Sequence, residues 1–204
     1  MISSTLDFGK AFDAQLSSGQ LASLARYQSW LSEEALVAGA IGPNELPRIM
    51  DRHLTDSLEY ARFLPRNACL VMDIGSGAGL PGIPLAIALP DVRFVLSDRS
   101  ARRVDLLERA VRVIGLENAE VVRRDLHSLD GEVELAVARA VLQPAQWLDV
   151  ALKALIPGGI LVVGVGHGSE TPQSSTGVLV ERHDFESGVL DRSATILTIQ
   201  KCDG

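Results

Sequence analysis

The sequence predicts an α/β fold: a Rossmann-like, mostly parallel sheet with helices on both faces, an N-terminal helical segment before it and a C-terminal antiparallel strand pair after it. Three observations carry this. From Cys69 onward, short apolar and β-branched runs alternate with helical patterns, the order that builds a parallel sheet. The first run leads directly into Gly75-Ser76-Gly77-Ala78-Gly79-Leu80-Pro81-Gly82. The last two runs, Gly177 to Arg182 and Ala194 to Gln200, have no helical pattern between them, so they read as an antiparallel pair at one sheet edge.

Residues 1 to 65 contain no strand signal. Phe12, Leu16, Leu21, Leu24, Tyr27, Leu31 and Leu36 recur at helical intervals, with a break expected near Ser17-Ser18-Gly19. Gly39 to Pro43 reads as a loop. Asn44 is placed to cap one helix over residues 45 to 63, supported by Leu46, Ile49, Met50, Leu54 and Leu58, with Pro65 ending it. This region, 1–65, reads as a helical cap on a cofactor-binding domain, 66–204.

In the second part, Cys69 to Ile74 is a nearly continuous apolar run, as a strand covered on both faces requires. A helix is expected near 82 to 89, a strand at Val92 to Ser97, and a helix at Arg102 to Ile114. Strands follow at Ala119 to Val122 and Val133 to Ala138. A helix at 144 to 155 precedes the turn Pro157-Gly158-Gly159 and a fifth strand, Ile160 to Val165. Residues 166 to 176 read as a loop.

The chain has 204 residues, with 47% apolar and 22% charged residues and a formal charge of −7. That is the composition of an ordinary globular protein with one substantial core. The acidic balance argues against non-specific coating of nucleic acid, though not against a local basic patch. No apolar run is long enough to span a membrane, and the first residues lack a signal-peptide pattern. Cys69 and Cys202 form no metal-binding or disulfide spacing. A cytoplasmic monomer with no metal and no membrane partner is the expectation.

The glycine turn is the main functional signal. Glycine permits positive φ and removes the side chain that would keep a ligand off the backbone. The helix after it presents unpaired N–H groups to the same crevice. Gly77-Ala78-Gly79-Leu80-Pro81-Gly82 fits the dinucleotide pattern GxGxxG, and Asp98 stands where a ribose-binding carboxylate would stand. Asp73 ahead of the turn gives DxGxGxG instead, and a carboxylate there suits the cationic S-adenosylmethionine better than a pyrophosphate. Pro81 and Pro84 crowd the helix start, and no second βαβαβ half follows. S-adenosyl-L-methionine is the favoured cofactor; a nicotinamide and a purely structural turn remain as alternatives. The candidate cofactor residues are Asp73, Gly75, Ser76, Gly77, Gly79, Leu80 and Asp98, with Arg124 and Asp125 after the third strand and Arg139 after the fourth.

Arg139 is also a candidate catalytic and substrate residue, since a guanidinium pairs with guanine O6 or with phosphate; a structural ion pair is the alternative. Arg52, His53, Asp56 and Ser57 share one predicted helix. They read as a lid over the methyl donor, with His53 touching substrate or ordering Asp56, which makes all four candidate substrate residues and His53 a candidate catalytic one, or else as an Arg52–Asp56 i,i+4 pair beside a partly buried histidine. Arg99, Arg102, Arg103, Arg109 and Arg112 form a basic series that reads mostly as a solvated face.

Arg52-His53-Leu54-Thr55-Asp56-Ser57-Leu58, then Asp73 through Gly82 continuing as Ile83-Pro84-Leu85-Ala86, then Asp98, Arg102-Arg103-Val104 and Ala138-Arg139-Ala140 together resemble the RsmG (GidB) family, over about residues 20 to 165. The resemblance implies a class I methyltransferase sheet and methyl transfer from S-adenosylmethionine to N7 of a guanine in 16S ribosomal RNA. The small ribosomal subunit is then the implied partner. It implies Arg52, His53, Asp56 and Ser57 near the site entrance and Arg139 near the target base. Two family features are absent: Leu36 to Ile41 lacks an Asn-Leu-Thr stretch, and Val163 to His167 lacks a Lys-Gly pair. These departures motivate two alternatives, a small-molecule methyltransferase and a non-catalytic interaction protein on the same fold.

Overall fold

The structure, a computed structural model, describes residues 16–139, 142–166, 168–174, 177–187 and 192–202. Phe12, Ala140 and His167 lie outside the described residues, as does the side chain of Arg52.

A seven-stranded sheet forms the centre, in the order β3-β2-β1-β4-β5-β7-β6. Its strands are β1 (Leu70–Ile74), β2 (Arg93–Asp98), β3 (Ala119–Arg123), β4 (Val133–Arg139), β5 (Leu155–Val165), β6 (Val178–Ser187) and β7 (Arg192–Lys201). The first five run parallel, with Asp73 opposite Leu96 and Arg139 opposite Gly164. The strand order reverses between β1 and its two neighbours, β2 and β4, which opens a crevice at their carboxyl ends. β7 enters antiparallel to both β5 and β6. The doubly wound α/β fold with its final antiparallel pair is the one the sequence predicts.

Two apolar layers cover the sheet. On one side α1 (Ser18–Trp30), α3 (Gly82–Ala88) and α4 (Ala101–Ile114) meet β1 and β2. There Leu24, Tyr27 and Trp30 share a buried cluster with Ile83, Leu85, Phe94, Leu96 and Leu107. On the other side α5 (Gln146–Ala154) lays Trp147, Val150 and Ala151 against Ala136, Leu161 and Leu197. The N-terminal helices therefore contribute to the same core as the sheet. α1 begins with a capping box at the predicted break: Ser17 Oγ accepts from the Gln20 N–H, and Gln20 Oε1 accepts from the Ser17 N–H. Gln20 Nε2 then donates to the carbonyls of Ile87 and Ala88, tying α1 to the end of α3.

The single helix expected over 45 to 63 is not formed. The chain instead runs through a 3₁₀ segment (Pro43–Arg48), a π turn (Ile49–Leu54), α2 (Thr55–Glu59) and a further 3₁₀ turn (Tyr60–Phe63). Pro47 lies inside the first segment and has no N–H to donate, so a continuous i→i−4 ladder cannot pass it. Asn44 lies within the 3₁₀ segment rather than capping a helix. Apolar periodicity alone could not register this break.

β5 also starts earlier than predicted. Pro157-Gly158-Gly159 is a bulge inside the strand, because pairing jumps from Val133–Leu155 to Leu135–Ile160. The final hairpin is longer than predicted and pairs as far as Ser187 with Arg192. Gly164 is required by close approach: a Cβ there would stand 2.0 Å from the Tyr60 hydroxyl. That hydroxyl donates to the Ala138 carbonyl at 3.1 Å, which pins the Tyr60 turn onto β4. Among the described residues no helix is long and apolar enough to cross a membrane.

Candidate functional site

A cavity of about 540 Å³ opens at the carboxyl ends of β1, β2, β3 and β4, within the size range of small-molecule sites. The glycine turn forms its floor, and its glycines do different work. At Gly77 (φ 63°) an added Cβ would meet nothing nearer than the Gly75 carbonyl at 3.8 Å, so the space in front of it is the cavity. At Gly79 (φ 101°) a Cβ would stand 2.4 Å from Ile83 Cδ1 and 3.0 Å from the Tyr27 hydroxyl. At Gly82 it would stand 2.4 Å from Leu96 Cδ2 and 2.5 Å from Asp73 Oδ2. Gly79 and Gly82 thus serve packing, and Gly77 leaves room for a ligand. Gly75, Ser76, Gly77 and Leu80 line the cavity; Gly79 does not. Backbone bonds hold the loop, with the Ser76 N–H donating to Ser97 O at 2.9 Å and Tyr27 Oη donating to Ala78 O at 2.9 Å.

Asp73 lies beneath the turn and outside the cavity lining. It is fully buried, and its Oδ2 accepts from Ser76 Oγ at 2.6 Å and from the Gly82 N–H at 2.9 Å. Its Oδ1 has no hydrogen-bond partner among the described residues. Burial raises the carboxyl from its ordinary 3.8 to about 6, although the bonds from Ser76 and Gly82 and the charge of Arg139 oppose the rise. Between about pH 4 and 6 the folded chain therefore keeps a proton that the unfolded chain releases, so stability falls as pH rises through this window. The two-unit shift corresponds to about 3 kcal/mol. The Asp73→Asn chain lacks this titration while keeping one acceptor oxygen. Urea unfolding from pH 4 to 7 should show wild type losing about 3 kcal/mol relative to Asp73→Asn. A difference between the two chains that does not change with pH would refute the assignment.

Asp98, at the end of β2, is 3% exposed and faces the cavity. Its Oδ2 accepts from the Gly77 N–H at 3.2 Å and its Oδ1 from the Ser100 N–H at 2.9 Å, with Arg103 Nη1 at 3.5 Å from Oδ2. Arg124 and Asp125 form the adjacent wall. The Arg124 N–H donates to Asp98 O at 3.0 Å and its guanidinium pairs with Glu132. Asp125 Oδ1 caps the following turn by accepting from the His127 N–H at 2.9 Å.

The arginine series divides. Arg102 donates to the Ala38 carbonyl at 2.7 Å and Arg109 pairs with Glu34 at 2.6 Å, both fastening α4 to the N-terminal segment. Arg99 and Arg103 line the cavity. Helical spacing could not make this division, because the segment that Arg102 and Arg109 meet is remote in sequence.

The opposite wall comes from β4 and the π turn. Arg139 Nη2 donates to His53 Nδ1 at 3.0 Å, and His53 Nε2 lies 3.0 Å from Glu45 Oε2. All three residues line the cavity. Ser57 does not: it is buried and its Oγ donates to the His53 carbonyl. Asp56 is also outside the lining. Glu45 was not legible from the sequence as a site residue. In a continuous helix it would stand about 12 Å along the axis from His53, and only the broken backbone brings the two together. Among the described residues no group of His, Cys, Asp and Glu could hold a metal ion.

Residues 20–184 match the family described as rRNA small subunit methyltransferase G. The chain belongs to this family. A relative named ribosomal RNA small subunit methyltransferase G from Clavibacter sepedonicus is 37% identical over 162 residues, covering 78% of this chain and 76% of the relative. A relative of the same name from Nocardioides sp. is 38% identical over 151 residues, covering 73% of this chain and 60% of the relative. The match spans about 60% of the length of several such relatives. Among solved structures, MtNAS in complex with MTA and tNA superposes with a TM-score of 0.60 at 18% identity, over 91% of this chain and 72% of that one. TrmN from Thermus thermophilus superposes with a TM-score of 0.56 at 18% identity, over 72% of this chain and 48% of that one. At such identity these two likenesses establish the Rossmann-like fold, and membership of the methyltransferase G family rests on the sequence match.

Proposed function

We propose that this chain is an S-adenosylmethionine-dependent methyltransferase that acts on N7 of a guanine in 16S ribosomal RNA. The observation that carries the reading is the cavity itself. Its floor is open in front of Gly77 beside the strand-end carboxylate Asp98, and its far wall holds Arg139, in a chain that belongs to the methyltransferase G family.

The residues present fit the cofactor. An added Cβ on Gly77 would occupy the space a ligand needs. Asp98 stands where a ribose hydroxyl would be met, with Arg124 and Asp125 beside it. The buried, unpartnered Oδ1 of Asp73 leaves negative charge beneath the turn, which favours a cationic ligand above it. When bound, S-adenosylmethionine supplies an electrophilic methyl group on a sulfonium.

This chain's own residues would bind, orient and stabilise. Guanine N7 carries a lone pair and no proton, so its attack needs alignment and charge control rather than a base. The site agrees with that demand: His53 has Arg139 on one ring nitrogen and Glu45 on the other, so it is placed to orient and not to take a proton. Arg139 is the group to meet the electron-rich face of the acceptor, at O6 or at a phosphate. Arg99, Arg103, Arg124 and Arg139 line the mouth together with the carboxylates Asp98, Asp125 and Glu45, so the lining is polar and charged, with four arginines against three acids where the whole chain carries −7. That suits a nucleotide acceptor better than a small apolar one. The segment 1–65 is the cap that supplies Glu45 and His53, and 66–204 the cofactor-binding part. The protein acts in the cytoplasm, as a monomer, on the small subunit.

The test is methyl incorporation from labelled S-adenosylmethionine into small ribosomal subunits that lack the modification, with the product mapped on the RNA. Label at N7 of a guanine is expected. No incorporation by a protein shown to bind the cofactor would overturn the acceptor assignment.

A further inference from the structure

Glu45, His53 and Arg139 come from the 3₁₀ segment, the π turn and the end of β4, and they meet on one wall of the cavity. The bonds between them have a defined direction. A guanidinium only donates, so His53 Nδ1, 3.0 Å from Arg139 Nη2, must present its lone pair. The ring hydrogen of the neutral imidazole is then on Nε2, where Glu45 Oε2 accepts it at 3.0 Å. Among the described residues His53 is the hydrogen-bond partner that fixes the Arg139 side chain, a long chain with many rotamers. We propose that Glu45 is a positioning residue for methyl transfer: by accepting from His53 Nε2 it selects the tautomer that receives Arg139, and so holds the guanidinium toward the acceptor base. The proposal rests on the methyl-transfer reading above.

Substitutions at Glu45 separate tautomer control from simple contact. Glu45→Gln keeps an oxygen that accepts from Nε2. Glu45→Ala removes the acceptor. Glu45→Lys puts a donor there and draws the lone pair to Nε2, so that an Nδ1–H opposes Arg139. With small subunits as substrate, kcat for Glu45→Gln should stay within about threefold of wild type, fall about tenfold for Glu45→Ala, and fall about a hundredfold for Glu45→Lys. Cofactor Kd, KM for the subunit and the thermal midpoint should move little. Nitrogen-15 NMR of the imidazole should report the Nε2–H tautomer in wild type and the Nδ1–H tautomer in Glu45→Lys. This second measurement needs no activity. A wild-type protein with the expected tautomer but no methylation would sink the methyl-transfer reading and, with it, the proposed role. An Nδ1–H tautomer in wild type would overturn the relay whatever the activity. So would Glu45→Gln falling as far as Glu45→Ala, Glu45→Lys retaining wild-type kcat, or losses confined to cofactor affinity or thermal stability.

Discussion

The Gly77→Val chain is expected to fold and to lose S-adenosylmethionine affinity by at least about a hundredfold, a change of about 2.7 kcal/mol. The side chain would enter the cavity, since nothing but the Gly75 carbonyl, at 3.8 Å, lies within 4 Å of an added Cβ. It would also displace backbone at a point where the Gly77 N–H reaches the Asp98 carboxylate at 3.2 Å. The φ of 63° adds strain of about 1–2 kcal/mol for a side chain in the left-handed region. That cost lowers the thermal midpoint without removing the core, because Gly77 packs on no buried apolar group. Isothermal titration calorimetry and thermal unfolding on the same preparation check both parts. Gly79 is a control of the opposite kind: there a Cβ collides with Ile83, so substitution strikes the fold first. Retained affinity in folded Gly77→Val would place the cofactor elsewhere.

Replacing Arg139 should have the largest effect on turnover. Arg139→Ala is expected to lower kcat by about 10², the loss that follows when the acceptor base is no longer held in line with the methyl group. Arg139→Lys should recover little, because a compact ammonium cannot reproduce a planar fork that bonds His53 Nδ1 while meeting an acceptor. The substitution costs the fold little in buried contacts, since the Arg139 side chain borders the cavity rather than the core. Single-turnover methylation of small subunits with cofactor saturating measures the step directly. Wild-type single-turnover rates in Arg139→Ala would remove this residue from the chemistry.

The parts legible in the sequence share one property: each follows from short-range pattern. The run from Leu70 to Ile74, the glycines after it, and the acidic residue ending β2 are local features, and each stands where it was expected. One local signal misled. The apolar series from Leu46 to Leu58 has helical period but contains Pro47, and the backbone breaks there into 3₁₀ and π turns. Asp73, a candidate cofactor residue because it adjoins the turn, is buried beneath it, where it bonds Ser76 and Gly82 and does not line the cavity.

By itself, then, the sequence determined the α/β class, the position of the glycine turn, the C-terminal antiparallel pair and the methyltransferase G resemblance, because strand period, glycine and helix starts act over a few residues. Only the tertiary structure decided which glycine leaves space for a ligand, which arginines fasten α4 and which line the mouth, and that Glu45 stands behind His53 and Arg139. Those distinctions depend on segments far apart in the chain, whose approach is set by packing against the common core and not by any spacing along the sequence.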